Sequence, residues 1–123
     1  MRAGTPMTGA QPPDPTAQLR TLSALAEPNR LRIVDLLRTG PLTVGEVAAK
    51  LQLRQPQASK HLKVLAEAGI LEVRAEANRR IHALRPEPFE SLDAWLERME
   101  TATVERFDRL DGYLSTFKED PDV

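Results

Sequence analysis

The 123-residue sequence contains no cysteine. Disulfides, thiolate metal sites and cysteine nucleophiles are therefore excluded together, and the absence fits a reducing compartment. Only two histidines are present, His61 and His82, and they belong to no zinc-ligand cluster. No glycine-rich phosphate loop appears, so no feature supports an enzyme or a cofactor. No apolar run approaches the roughly 20 residues of a membrane span. Met1–Pro15 is polar and proline-rich and lacks the apolar centre of a signal peptide. The expectation is a soluble, cytoplasmic protein with no membrane partner. Its length suits one compact domain, large enough to bury a core without disulfides or metals.

The net charge of −1 argues weakly against a polyanionic partner, but its distribution does not. Residues 54–82 carry six Lys or Arg (Arg54, Lys60, Lys63, Arg74, Arg79, Arg80) against three acids. Residues 85–123 carry five against eleven. A basic middle beside an acidic end suggests one face for a polyanion and another kept off it.

Residues 1–15 hold four prolines and read as a disordered arm, within which Met7 is an alternative start. Residues 16–117 form the expected domain, and 118–123 a flexible tail. Helical spacing of Leu19, Leu22, Leu25 and Ala26 begins at Thr16 and is stopped by Pro28. Asn29 is the expected cap of a second helix, which Gly40 and Pro41 end. Thr43 and Glu46 make a capping box for a third, with Val44, Val47, Ala48 and Leu51 on one face. A break at Gln52–Arg54 precedes a fourth helix from about Gln55 to Ala68, with Pro56 in its first turn and Gly69 at its stop. Ile70–Ala75 and Arg80–Leu84 read as two strands, joined by a turn at Glu76–Arg79 in which Asn78 best tolerates positive φ. A long amphipathic helix follows, from about Phe89 to Phe117. The fold class is mainly α with a small β-hairpin: a winged helix-turn-helix of five helices plus a two-stranded wing.

On the fourth helix, Ala58, Leu62 and Leu65 share one side. The opposite side carries Ser59, Lys60 and Lys63, with Gln57 and His61 on the flanks and Gln55 at the start. Amides, a hydroxyl and cations are the groups that bond base edges and phosphates. His61 is read equally as a half-buried packing residue, and His82 as a strand residue rather than a ligand. The hairpin adds Arg74, Arg79 and Arg80, suited to the backbone or a narrow minor groove. The candidate DNA-binding set is thus Arg54, Gln55, Gln57, Ser59, Lys60, His61, Lys63, Arg74, Arg79 and Arg80. Leu92, Trp95, Leu96, Met99, Phe107, Leu110 and Leu114 on the last helix, joined by Leu19, Leu22 and Leu25, are the candidate dimer interface. A 29-residue helix exceeds about 40 Å, long for one small domain.

The stretch Ala24-Leu-Ala-Glu-Pro-Asn-Arg-Leu-Arg-Ile-Val-Asp-Leu-Leu resembles the opening helices of ArsR-type repressors, as does Val44-Gly-Glu-Val-Ala-Ala-Lys-Leu. Gln55-Pro-Gln-Ala-Ser-Lys-His-Leu-Lys-Val-Leu-Ala-Glu-Ala-Gly-Ile-Leu resembles that family's recognition helix and first wing strand. The resemblance spans roughly residues 19–84. It implies a homodimer built mainly from the first and last helices, recognition by the helix at 55–68, and backbone contact by the wing. Metal-sensing members carry a Cys-x-Cys pair near the third helix, where this chain has Thr43 and Gly45. Others bind zinc on the last helix through histidines, which this chain lacks there. Metal sensing is therefore not carried over. Arg54 replaces the serine usual before Gln-Pro, which removes a side-chain cap worth about 1 kcal/mol. Asn78 stands where a wing glycine is common.

The expected function is a homodimeric, sequence-specific repressor on an inverted-repeat operator in double-stranded DNA, released by an unspecified small molecule or protein or by dilution. The rivals are a winged-helix module of an enzyme such as a methyltransferase, and an interaction module that has lost DNA binding. The first has no catalytic residues and no room for a catalytic domain. Lys60, Lys63, Arg79 and Arg80 argue against the second.

Overall fold

The structure, a computed structural model, describes residues 15–118. The expected N-terminal arm and C-terminal tail lie almost wholly outside the described residues. The chain divides into two units after Pro88. The first holds four helices and three strands.

Helix α1 (Thr16–Leu25) ends ahead of Pro28. The residue before a proline is pushed towards extended geometry, and Glu27 adopts it, with φ −158° and ψ 130°. Helix α2 (Pro28–Leu37) then opens on the proline, whose missing N–H would have no partner in the first turn anyway. The cap is Glu27, not the expected Asn29: its Oε1 accepts from the Arg30 N–H at 2.8 Å. Asn29 lies inside the first turn and accepts from Arg32 Nη1 at 3.0 Å. Arg30 Nε also donates to the Ala24 carbonyl at 2.6 Å, fastening the end of α1 to the start of α2.

Strand β1 (Leu42–Thr43) leads into helix α3 (Val44–Leu51). The capping box forms in full: the Glu46 N–H donates to Thr43 Oγ1 at 3.2 Å, and the Thr43 N–H donates to Glu46 Oε1 at 2.8 Å. Those bonds, the backbone one foremost, hold the Glu46 carboxyl below its ordinary pKa. Gln52 closes α3 in the left-handed region, with φ 59° and ψ 42°. The Leu53 N–H bonds the Ala48 carbonyl at 2.9 Å across it, a Schellman-type stop built on glutamine. Helix α4 (Gln55–Glu67) ends the same way at Gly69 (φ +82°), with the Ile70 N–H on the Leu65 carbonyl at 3.0 Å.

Strands β2 (Leu71–Glu76) and β3 (Arg79–Leu84) form the hairpin. The turn is tighter than expected, since Glu76 and Arg79 pair directly and only Ala77 and Asn78 lie between them. Positive φ falls on Ala77 (55°) and not on Asn78. A positive angle at the first loop residue alone is the pattern of a type II′ connection, which matches strand twist. The wing was expected to have two strands; the sheet has three, in the order β1-β3-β2. Leu42 pairs with His82 and Thr43 with Ile81. Two extended residues are too few to show alternation in the sequence, so periodicity could not reveal β1.

Ile33 of α2, Val47 of α3, Leu62 and Leu65 of α4, and Ile70 are fully buried. Each such side chain contributes about 1.5–3 kcal/mol on leaving water. This core seats α4 by its Ala58, Leu62 and Leu65 face and leaves the other side outward.

Helix α5 (Pro86–Lys118) has 33 residues. It starts three residues before the expected Phe89, because Pro86 and Pro88 both fall in the first turn, where amide hydrogens go unbonded. Leu96, Met99, Val104, Phe107, Leu110, Tyr113 and Leu114 are exposed along it. Among the described residues no helix is long and apolar enough to cross a membrane.

Candidate nucleic-acid interface

The turn between α3 and α4 sets where the second helix of the motif points. Arg32 of α2 donates from Nη2 to the Leu51 carbonyl at 3.1 Å, which ties α2 to the end of α3. Gln57 reaches back from the first turn of α4, its Oε1 accepting the Arg54 N–H at 3.3 Å. Only this half of a capping box can exist, since a guanidinium has no acceptor. Arg54 is thus an exposed cation at the N-terminus of α4.

Gln55, Gln57, Ser59, Lys60 and Lys63 are all exposed on α4. His61 is turned away from this face. Its ring is mostly covered, and Nδ1 lies 3.9 Å from the Glu27 carboxylate that caps α2. The Glu27 pKa is lowered, first by the Arg30 N–H and also by His61.

Sheet register sorts the wing arginines. Ala75 pairs with Arg80 and Val73 with His82, so those side chains share one face of the hairpin. Arg74 and Arg79 fall on the other. Arg74 is committed locally: its Nη2 and Nε both lie 2.7 Å from Glu72 Oε2. Arg79 is placed to lower the Glu46 pKa electrostatically, without ion-pair contact. Arg80 faces α4. With Ser59, Lys63 and Val73 it lines a cavity of about 580 Å³ between that helix and the hairpin. Among the described residues, Lys60, Lys63, Arg79 and Arg80 have no carboxylate partner. Unpaired cations on a rigid helix and an adjoining strand are what a phosphate backbone neutralises.

His82 also borders the cavity and had no functional part in the sequence reading. Burial lowers its pKa, Arg80 lowers it further, and the Leu42 carbonyl opposes both. Nδ1 stands 3.4 Å from that carbonyl, a contact that requires the proton on Nδ1. Strand alternation would have placed His82 beside Val73 only once the register was known. Among the described residues, no three His, Asp or Glu side chains come together as a metal site.

Two helices joined by a tight turn, with an outward polar helix and an antiparallel hairpin beside it, define a winged helix-turn-helix DNA-binding protein. Residues 25–74 match the family model described as a helix-turn-helix domain. The chain is 37% identical to the HTH-type transcriptional regulator Rv2034 of Mycobacterium tuberculosis over 91 residues, 74% of this chain and 85% of that one. It is 30% identical to the arsenical resistance operon repressor of Staphylococcus xylosus over 81 residues, 66% and 78% of the two chains. A homodimeric winged helix-turn-helix DNA-binding domain from Mycobacterium bovis superposes with a TM-score of 0.56 at 29% identity, covering 79% of this chain and 94% of that one. The chain belongs to the ArsR-type family of winged helix-turn-helix transcriptional regulators, as a member without cysteine. Such regulators are not enzymes.

Proposed function

We propose that two copies of the chain bind an inverted-repeat operator and repress transcription from it. In this reading α4 enters the major groove, and Gln55, Gln57 and Ser59 reach base edges. Arg54, Lys60, Lys63, Arg79 and Arg80 neutralise phosphates, with Arg74 held nearby by Glu72. His61 acts at second hand by seating α4 on Glu27. The observation that carries the reading is the set of uncommitted cations shared by the outward face of α4 and the wing. Leu19, Leu22 and Leu25 of α1, with Leu92, Trp95, Leu96, Met99, Phe107, Leu110 and Leu114 of α5, make the dimer contact. A two-fold axis then sets the recognition helices about 34 Å apart, one helical turn of DNA.

A mobility-shift assay on the region upstream of the chain's own gene, against an unrelated duplex, tests operator choice. Lys60→Ala with Arg79→Ala removes four cations from the dimer, so it should weaken binding to every sequence and reduce the slope of log K against log salt by about three to four. An unchanged slope would remove the phosphate contacts from the account. A chain that pairs with itself yet prefers no duplex would be an interaction module.

A further inference from the structure

The cavity between α4 and the wing is built from two chemically different halves. Lys63 and Arg80 bring unpaired cations to it from separate elements, and Ser59 adds a hydroxyl. Val44, Leu62, Ala66 and Val73 supply apolar wall. Its volume of about 580 Å³ falls in the range of roughly 300–1,000 Å³ that holds small organic ligands. A DNA phosphate satisfies the cations but makes no use of the apolar wall. A small molecule with a charged head and a hydrocarbon body uses both. Glu67 also lines the cavity. Against Lys63 and Arg80 it leaves an excess of one positive charge, which suits a single anionic head better than a polyphosphate.

We propose that this cavity is an effector site for a small monocarboxylate with an apolar body of about six to eight carbons, and that its occupation takes Lys63 and Arg80 from DNA. The release step rests on the operator reading above; the site itself does not. The carboxylate lies between Lys63 Nζ and the Arg80 guanidinium, with the Ser59 hydroxyl in reach as a donor. The hydrocarbon lies on Leu62 and Val73. Effector and DNA then compete for the same two cations, so release needs no conformational relay.

The full chain without DNA is titrated with octanoate and, separately, with octanol, following backbone amide shifts. Octanoate should give saturable shifts centred on Val44, Lys63, Val73 and Arg80, and octanol should bind at least about tenfold more weakly. Ala66→Leu, which fills the wall and keeps both cations, should abolish the shifts. Val73→Met replaces it if that variant fails to fold, and Arg80→Gln should weaken octanoate alone. In fluorescence anisotropy, octanoate should reduce affinity for a bound duplex at least about fivefold in the parent chain, and not in Ala66→Leu. Absence of saturable shifts, shifts centred elsewhere, or equal binding of octanol would overturn the site. Unchanged DNA affinity with the cavity occupied would overturn the competition. Failure of the ligand-free chain to bind any duplex would overturn the operator reading and the release step together, while the DNA-free titration still decides the site.

Discussion

Arg54 shows a conflict resolved at one residue. The position before α4 has the extended geometry of an N-cap, φ −71° and ψ 146°, yet its side chain makes no cap bond. A serine there would satisfy an orphan amide; an arginine cannot. What arginine adds is a positive charge at the end of the helix nearest the DNA in the proposed complex. The two roles separate in Arg54→Ser. Stability should rise by about 1 kcal/mol through the restored cap, seen as a higher urea midpoint with unchanged m-value. Affinity for every duplex should fall, and the salt slope should drop by about two, one phosphate for each copy. If stability rises and DNA affinity does not change, Arg54 is a tolerated imperfection and no phosphate ligand.

At the scale of elements, α3 and α4 share one kind of stop but not one kind of residue. Gly69 sits in the left-handed region without penalty. Gln52 adopts the same region with a side chain, at a cost of roughly 1 kcal/mol. Gln52→Gly should recover most of that, raising Tm by about 4–8 °C for a domain of this size. Gln52→Val should lower it, since a β-branched residue tolerates positive φ least. Equal melting of all three chains would mean the turn relaxes out of the left-handed region. The pair also shows what a sequence displays and what it hides. The stop at Gly69 and the capping box of Thr43 and Glu46 were legible because the residue types themselves carry the geometry. The left-handed Gln52, the cap at Glu27 and the positive φ of Ala77 were not, because glutamine, glutamate and alanine are not the residue types that favour those geometries. The site divides in the same way. Helical spacing exposed Ser59, Lys60 and Lys63 as one face of α4. Nothing in the spacing could separate Arg80, which faces α4, from Arg79, which does not, before the register of β2 against β3 was known.

At the scale of the whole molecule, the proposed dimer rests on the apolar row of α5. Leu92, Leu96, Met99, Thr103, Phe107, Leu110 and Leu114 recur in steps of three and four, so they hold one side of a helix of 33 residues, about 50 Å long. Phe107 is 60% and Leu110 47% exposed within the chain. This exposure makes the two residues better probes than Trp95, which is half-buried. If the row had no partner, Phe107→Asp or Leu110→Asp would change stability by no more than about 0.5 kcal/mol, as exposed substitutions do, and would leave the mass alone. If a second copy covers the row, each substitution places two carboxylates near a two-fold axis in apolar surroundings, and association should fail. The expected result by light scattering is a dimer for the parent chain and a monomer for either variant at micromolar concentration. Melting should depend on concentration only in the parent. DNA binding should fall with it, by about 10²–10⁴-fold, because the second recognition helix no longer acts at a high effective concentration. The salt slope should halve as one half-site's phosphates are lost. A variant that remains dimeric would move the contact off this row and onto α1, where Leu19 and Leu22 are also exposed. A variant that is monomeric yet binds the operator as tightly as the parent would sink the two-fold account altogether.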